Sequence, residues 1–114
     1  MANPVVHFEV RAQDPDAVRN FFGELFGWTF PTGEEPGYTY VSTGDKGGIT
    51  GGIGAAHGSG MVTFFVGVDD VEASLAAAER LGGKTVVPAT SLPGITYGLF
   101  SDPEGHVIGV SKRG

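Results

Sequence analysis

Polar and apolar residues alternate from Val5 to Val10, with Val6, Phe8 and Val10 on one face of an extended segment and Val5, His7 and Glu9 on the other. The period then lengthens. Val18, Phe21, Phe22 and Leu25 recur at i, i+3, i+4 and i+7, the stripe of an amphipathic helix. Asp14 is placed to cap its N-terminus, Pro15 suits the first helical position, Asp16 sets a carboxylate near the positive end of the dipole, and Gly27 suits the close. Short strands are expected at Trp28 to Phe30, Tyr38 to Ser42 and Ile49 to Ile53, separated by turn-forming residues at 31–37 and 43–48.

The small-residue stretch 54–60 reads as a connector, after which the pattern restarts. Met61 to Val66 is expected as a strand, Asp70 as a cap, Val71 to Leu81 as an alanine-rich helix and Gly82-Gly83 as its close. Strands at Thr85 to Val87, Ile95 to Phe100 and Val107 to Ser111 follow, with a type I turn at Asp102-Pro103-Glu104-Gly105.

This restart is a duplication. A constant shift of 56 pairs residues 7–30 with 63–86, with Phe8 on Phe64, Val10 on Val66, Asp14 on Asp70, Ala17 on Ala73, Leu25 on Leu81, Gly27 on Gly83 and Thr29 on Thr85. A shift of 58 in the last hairpins pairs Gly47 with Gly105 and Gly51 with Gly109. The expected class is α+β: two βαβββ repeats, about 4–54 and 61–114 with connector 55–60, in a single domain. Each repeat covers one sheet face with its helix, and the two open faces are expected to form a curved, cup-like mixed sheet with the helices outside.

Composition narrows the function classes. A chain of 114 residues with no cysteine has neither a disulfide framework nor a thiolate zinc site. Thirteen acidic against seven basic residues, a net charge of −6, argue against nucleic acid or anionic lipid as a partner. No apolar run approaches the ~18 residues of a membrane span and the start lacks a signal pattern, so a cytoplasmic location is expected. Twenty glycines without high charge imply tight turns and close backbone approaches. The glycine-rich run 47–53 lacks the lysine and following helix of a phosphate loop and reads as a strand approached closely by a ligand or another backbone.

The doubled β-α-β-β-β order, the opening Val-Val-His-Phe-Glu-Val, the helix Asp-Pro-Asp-Ala-Val-Arg-Asn-Phe-Phe-Gly-Glu-Leu-Phe-Gly-Trp and the closing Asp-Pro-Glu-Gly-His-Val-Ile-Gly-Val resemble the vicinal oxygen chelate superfamily. That superfamily includes glyoxalases, extradiol dioxygenases, fosfomycin-resistance transferases and bleomycin-binding proteins. The resemblance implies metal ligands on the first and last strands of each repeat. His7 fills the first position, while its counterpart is Thr63 and the last-strand positions read Gly51 and Gly109. A catalytic divalent site needs about three protein ligands. His106 and His57 match no such position. The expectation is therefore no metal or other cofactor, with a divalent metal as the alternative.

On their own chemistry, His7 and Glu9 share one face and form a candidate acid/base or ligand-recognising pair. Thr63, Phe65, Tyr40 and Tyr97 join them as ligand-binding candidates by strand parity, the aromatic rings supplying flat walls. Trp28 and the first-helix phenylalanines read as core. Two functions remain open. One is metal-independent binding of a small organic molecule, in the manner of bleomycin-resistance proteins. The other is a lyase, isomerase or other small-molecule enzyme using His7 and Glu9. The resemblance also implies a homodimer, which would cover exposed sheet edges.

Overall fold

The computed structural model describes residues 2–31 and 37–113. It is α+β throughout. The chain divides into two compact units, one formed by residues 7–62 and the other by residues 63–114 together with the N-terminal segment. The turn expected at 31–37 lies, over residues 32–36, outside the described residues.

In the unit of residues 7–62, strand β1 (Val5–Ala12, which begins just before the unit) leads into helix α1 (Pro15–Phe26), then β2 (Tyr38–Val41) and β3 (Thr50–Ala55). The strand order is β2-β3-β1, with β3 antiparallel to β2 and parallel to β1. Val10, Val41 and Ile53 form the core beneath α1, packed by Phe8, Val18, Phe22, Trp28 and Phe30. Asp14 caps α1 as its position implies, its Oδ1 accepting from Ala17 N at 3.2 Å. Gly27 closes the helix in the left-handed region at φ 72°.

Two expectations for this unit are corrected. The strand expected at Trp28 to Phe30 is reduced to a single antiparallel bridge between Thr29 and Ser42. Trp28 instead turns inward to stack on Phe22, with ring centroids 5.2 Å apart. The first-helix stripe is also only half used. Val18 and Phe22 pack inward, whereas Phe21 and Leu25 are 60% and 57% exposed. On the strand side of this packing the Phe8 ring lies over the bare Gly51 backbone and meets Trp28, with ring centroids 5.4 Å apart.

In the other unit, β4 (Met61–Val68), α2 (Val71–Arg80), β5 (Lys84–Leu92), β6 (Ile95–Ser101) and β7 (Val107–Lys112) follow one another. Their order is β4-β7-β6-β5, with β4 and β7 parallel and the other pairings antiparallel. Here the helix is seated: Val71 and Leu75 are buried with Val68 and Val110. Asp70 caps α2 through Ala73 N at 3.0 Å. The turn at 102–105 forms as expected, with Gly105 N donating to the Asp102 carbonyl at 2.9 Å. Each unit thus pairs its first strand in parallel with its last and lays one helix over one face.

Candidate functional site

Register decides which side chains share the face opposite each helix. In β1, Phe8 and Val10 contribute to the core under α1, so His7, Glu9 and Arg11 point to the other side. Their partners on β3 are Thr50, Gly52 and Gly54, and the matching residues of β2 are Tyr38 and Tyr40. Gly51 pairs with Phe8 and faces the helix, where a Cβ would overlap the Phe8 ring. The last-strand position expected at Gly51 is thereby corrected to Gly52. Phe65 pairs with Gly109 just as Glu9 pairs with Gly52, so the true offset is 57, and the shift of 58 slipped the register by one residue and flipped the face.

The glycines of β3 have a structural purpose. A Cβ at Gly52 would overlap Tyr38 Oη and Cζ, and one at Gly54 would lie 2.9 Å from Tyr38 Cδ1 and 2.7 Å from Arg11 Nη1. The Tyr38 ring therefore lies across the bare backbone of β3 and reaches from β2 to β1. There Tyr38 Oη donates to Glu9 Oε1 at 2.6 Å. His7 Nε2 lies 2.9 Å from Tyr38 Oη and 3.2 Å from Glu9 Oε1. On the other carboxylate oxygen, Arg11 Nε donates to Glu9 Oε2 at 2.7 Å and Nη2 sits 2.6 Å away. The same guanidinium stands 5.2 Å from the centroid of the Tyr38 ring.

Glu9 is only 4% exposed, so its charge depends on these partners. Burial alone would push its carboxyl upward, but the hydrogen bonds from His7 and Tyr38 and the Arg11 charge outweigh that and hold it below the usual glutamate value. Burial, and then the bond to Glu9 and its charge, drive the Tyr38 phenol well above its usual value, so it keeps its proton. With that proton given to Glu9, both oxygens near His7 Nε2 are acceptors, and the network assigns a hydrogen to Nε2.

As a donor set this cluster does not fit a divalent cation. Nε2 presents a hydrogen where a ligand presents a lone pair, both Glu9 oxygens are engaged, and a guanidinium lies against the carboxylate. Gly52 and Gly109 offer no side chain, and among the described residues no three His, Cys, Asp or Glu side chains converge. Thr63 Oγ1 donates to the Val107 carbonyl at 2.6 Å.

The remaining expected site residues are placed as follows. Tyr40 shares the Glu9 face, is 44% exposed and meets Tyr38 edge-on at 5.3 Å. Phe65 is buried on its own unit's open face, its ring over Gly109 and 6.5 Å from that of Tyr97. His106 bonds Asp102 at 2.9 Å in the exposed turn, and His57 is exposed in the connector. Within the unit of residues 7–62 the structure brings His7, Glu9 and Tyr40 to one face, and within the other unit it brings Thr63, Phe65 and Tyr97 to one face. Sequence reasoning missed Arg11 and Tyr38. Arg11 was within reach, being two residues beyond Glu9 on the same face. Tyr38 was signalled by Gly52 and Gly54, since a strand bare on one face needs a neighbour to cover it.

The comparisons with known proteins agree with this architecture. The glyoxalase-like domain family matches residues 7–111. A glyoxylase-like domain-containing protein of Didymella fabae is 28% identical over 92% of this chain and 90% of its own length. Among solved structures, a glyoxalase/bleomycin resistance protein/dioxygenase superfamily member from Vibrio splendidus superposes with a TM-score of 0.65 at 16% identity, covering 97% of this chain and 98% of that one. A hypothetical protein from Bacillus halodurans gives 0.73 at 12% identity, covering 100% and 96%. The methylmalonyl-CoA epimerase of Mycobacterium tuberculosis gives 0.63 at 11% identity, covering 96% and 87%. At such identities the structural likeness speaks for the fold alone, and it is the family match over most of the chain that decides: this protein belongs to the glyoxalase-like domain family.

Proposed function

We propose that this protein binds a small organic molecule, without a metal ion, against the Glu9 face of the unit formed by residues 7–62. The observation that carries the reading is the division of labour around Glu9. The carboxylate is buried and fully engaged, while the groups that hold it keep exposed edges: the Arg11 side chain is 33% exposed and His7 24%. Arg11 spends Nε–H and one Nη2–H on Glu9 and reaches the Ala55 carbonyl from Nη1 at a long 3.5 Å. A guanidinium has five N–H groups, so donors remain for a carbonyl or carboxylate oxygen. Beside it the Tyr40 ring offers an apolar wall with a polar tip. The ligand suited to these groups is planar, with an oxygen acceptor at one end.

Catalysis by a His7–Glu9 pair is the weaker reading. A general base works best with a pKa near the operating pH, and Glu9 is shifted the other way and tied to Arg11. The test is a thermal-shift screen of planar carbonyl and carboxylate compounds on wild type, Tyr40→Ala and Arg11→Lys. Stabilising hits that weaken at least tenfold in both variants are expected. Hits indifferent to both substitutions would place binding elsewhere and contradict the reading.

A further inference from the structure

We infer that Arg11 and Tyr38 are a built-in substitute for a divalent cation, and that His7 and Glu9 form a masked two-residue metal site beneath them. This does not depend on whether a ligand binds the face. A cation held by an imidazole and a carboxylate would supply positive charge to the carboxylate and an atom shared by both groups. The chain supplies these from two of its own side chains. Arg11 brings the charge, its Nη2 2.6 Å and Nε 2.7 Å from Glu9 Oε2. Tyr38 brings the shared atom, its hydroxyl 2.6 Å from Glu9 Oε1 and 2.9 Å from His7 Nε2. That hydroxyl marks where the imidazole and carboxylate converge, and it stands where a side chain at residue 52 would begin. The glycine and the tyrosine are therefore one device: without a Cβ at 52 the phenol can enter, and once there its oxygen joins Glu9 Oε1 in accepting from Nε2, which holds a hydrogen in place of a lone pair. Arg11 completes the exclusion, since a second cation at this place would meet a carboxylate already neutralised.

Masking predicts that the two ligands can be uncovered. The experiment is an equilibrium titration of the full chain with Ni²⁺ alone, comparing wild type, the Arg11→Met/Tyr38→Ala double variant, and that variant with His7→Ala added. The expected result is no stoichiometric site in wild type, a gain of at least tenfold in Ni²⁺ affinity in the double variant, and its loss in the triple. The exposed His57 and His106 are common to all three proteins, so their contribution cancels. A one-to-one, His7-dependent site in wild type would overturn the inference, and so would a double variant that binds no better than wild type. If circular dichroism shows the double variant unfolded, the His7 ring nitrogens of wild type decide the matter by long-range ¹H–¹⁵N correlation. A hydrogen on Nε2, undisturbed by added Ni²⁺, is the expected pattern. A hydrogen on Nδ1 alone, or selective Ni²⁺ broadening of His7, would overturn it.

Discussion

The two repeats place one chemical problem side by side and answer it differently. On the open face of each unit a first-strand residue pairs with a last-strand glycine: Glu9 with Gly52 in one, Phe65 with Gly109 in the other. Over Gly109 the ring comes from Phe65 itself, which meets Tyr97 edge-on. Over Gly52 the ring comes from Tyr38 on the adjacent strand β2, and its hydroxyl reaches Glu9 one strand further on. The preceding residues differ in the same way. His7 enters a network around a charge, whereas Thr63 gives its hydroxyl to the Val107 carbonyl. A duplicated backbone therefore preserves where glycine must stand and leaves the chemistry above it free to diverge.

That contrast can be broken by substitution. Gly52→Val should have the largest effect, about 4 kcal/mol of stability, because it overpacks the strand and evicts the phenol from a charged partner. Chemical denaturation measures this, and a loss no greater than that of Gly109→Ala would mean that Tyr38 bonds matter little. Arg11→Met comes next, at about 2–3 kcal/mol: stranding a buried carboxylate costs about 3–5, discounted here because a third of the arginine is already in water. Thr63→Val, its counterpart on the other repeat, should cost only about 1 kcal/mol and show no dependence on pH. Leu25→Ser on the half-used helix should change stability by less than about 0.5 kcal/mol, whereas Leu75→Ala on the seated one should cost about 2–5. Equal losses at the two leucines would erase the difference between the helices.

Much of this was legible in the chain. Both caps, both helices, the turn at 102–105 and the duplication follow from local chemistry that tertiary packing had no reason to override. The face of His7 and Glu9 follows from alternation in a strand long enough to make parity secure. The errors lie where a single residue of register or a long side chain decides. Gly51 and Gly52 are chemically identical, so identity in the repeat could not say which faced the helix, and only pairing with Phe8 and Glu9 does. Tyr38 escaped notice because its partner lies two strands away, beyond any local period. Phe21 and Leu25 have the spacing of core residues, but spacing does not report how much of a helix face the elements beneath it cover.

The Glu9 network should also respond to acid, whereas the Thr63 hydrogen bond, which involves no titrating group, should not. Glu9 has a folded pKa below its unfolded one, so its contribution to stability is complete above the unfolded value of about 4.3 and is lost as pH falls through the folded value. The advantage of wild type over Glu9→Gln should shrink across that acidic window and be flat near neutrality. The most direct measurement is the ¹³C titration of the Glu9 carboxyl in wild type and in Tyr38→Phe. A wild-type midpoint below the ordinary glutamate value, rising when the hydroxyl is removed, is the result expected of a carboxylate held charged by Arg11, His7 and a tyrosine laid across a glycine strand. A midpoint at or above the ordinary value, or one that Tyr38→Phe leaves unmoved, would contradict it.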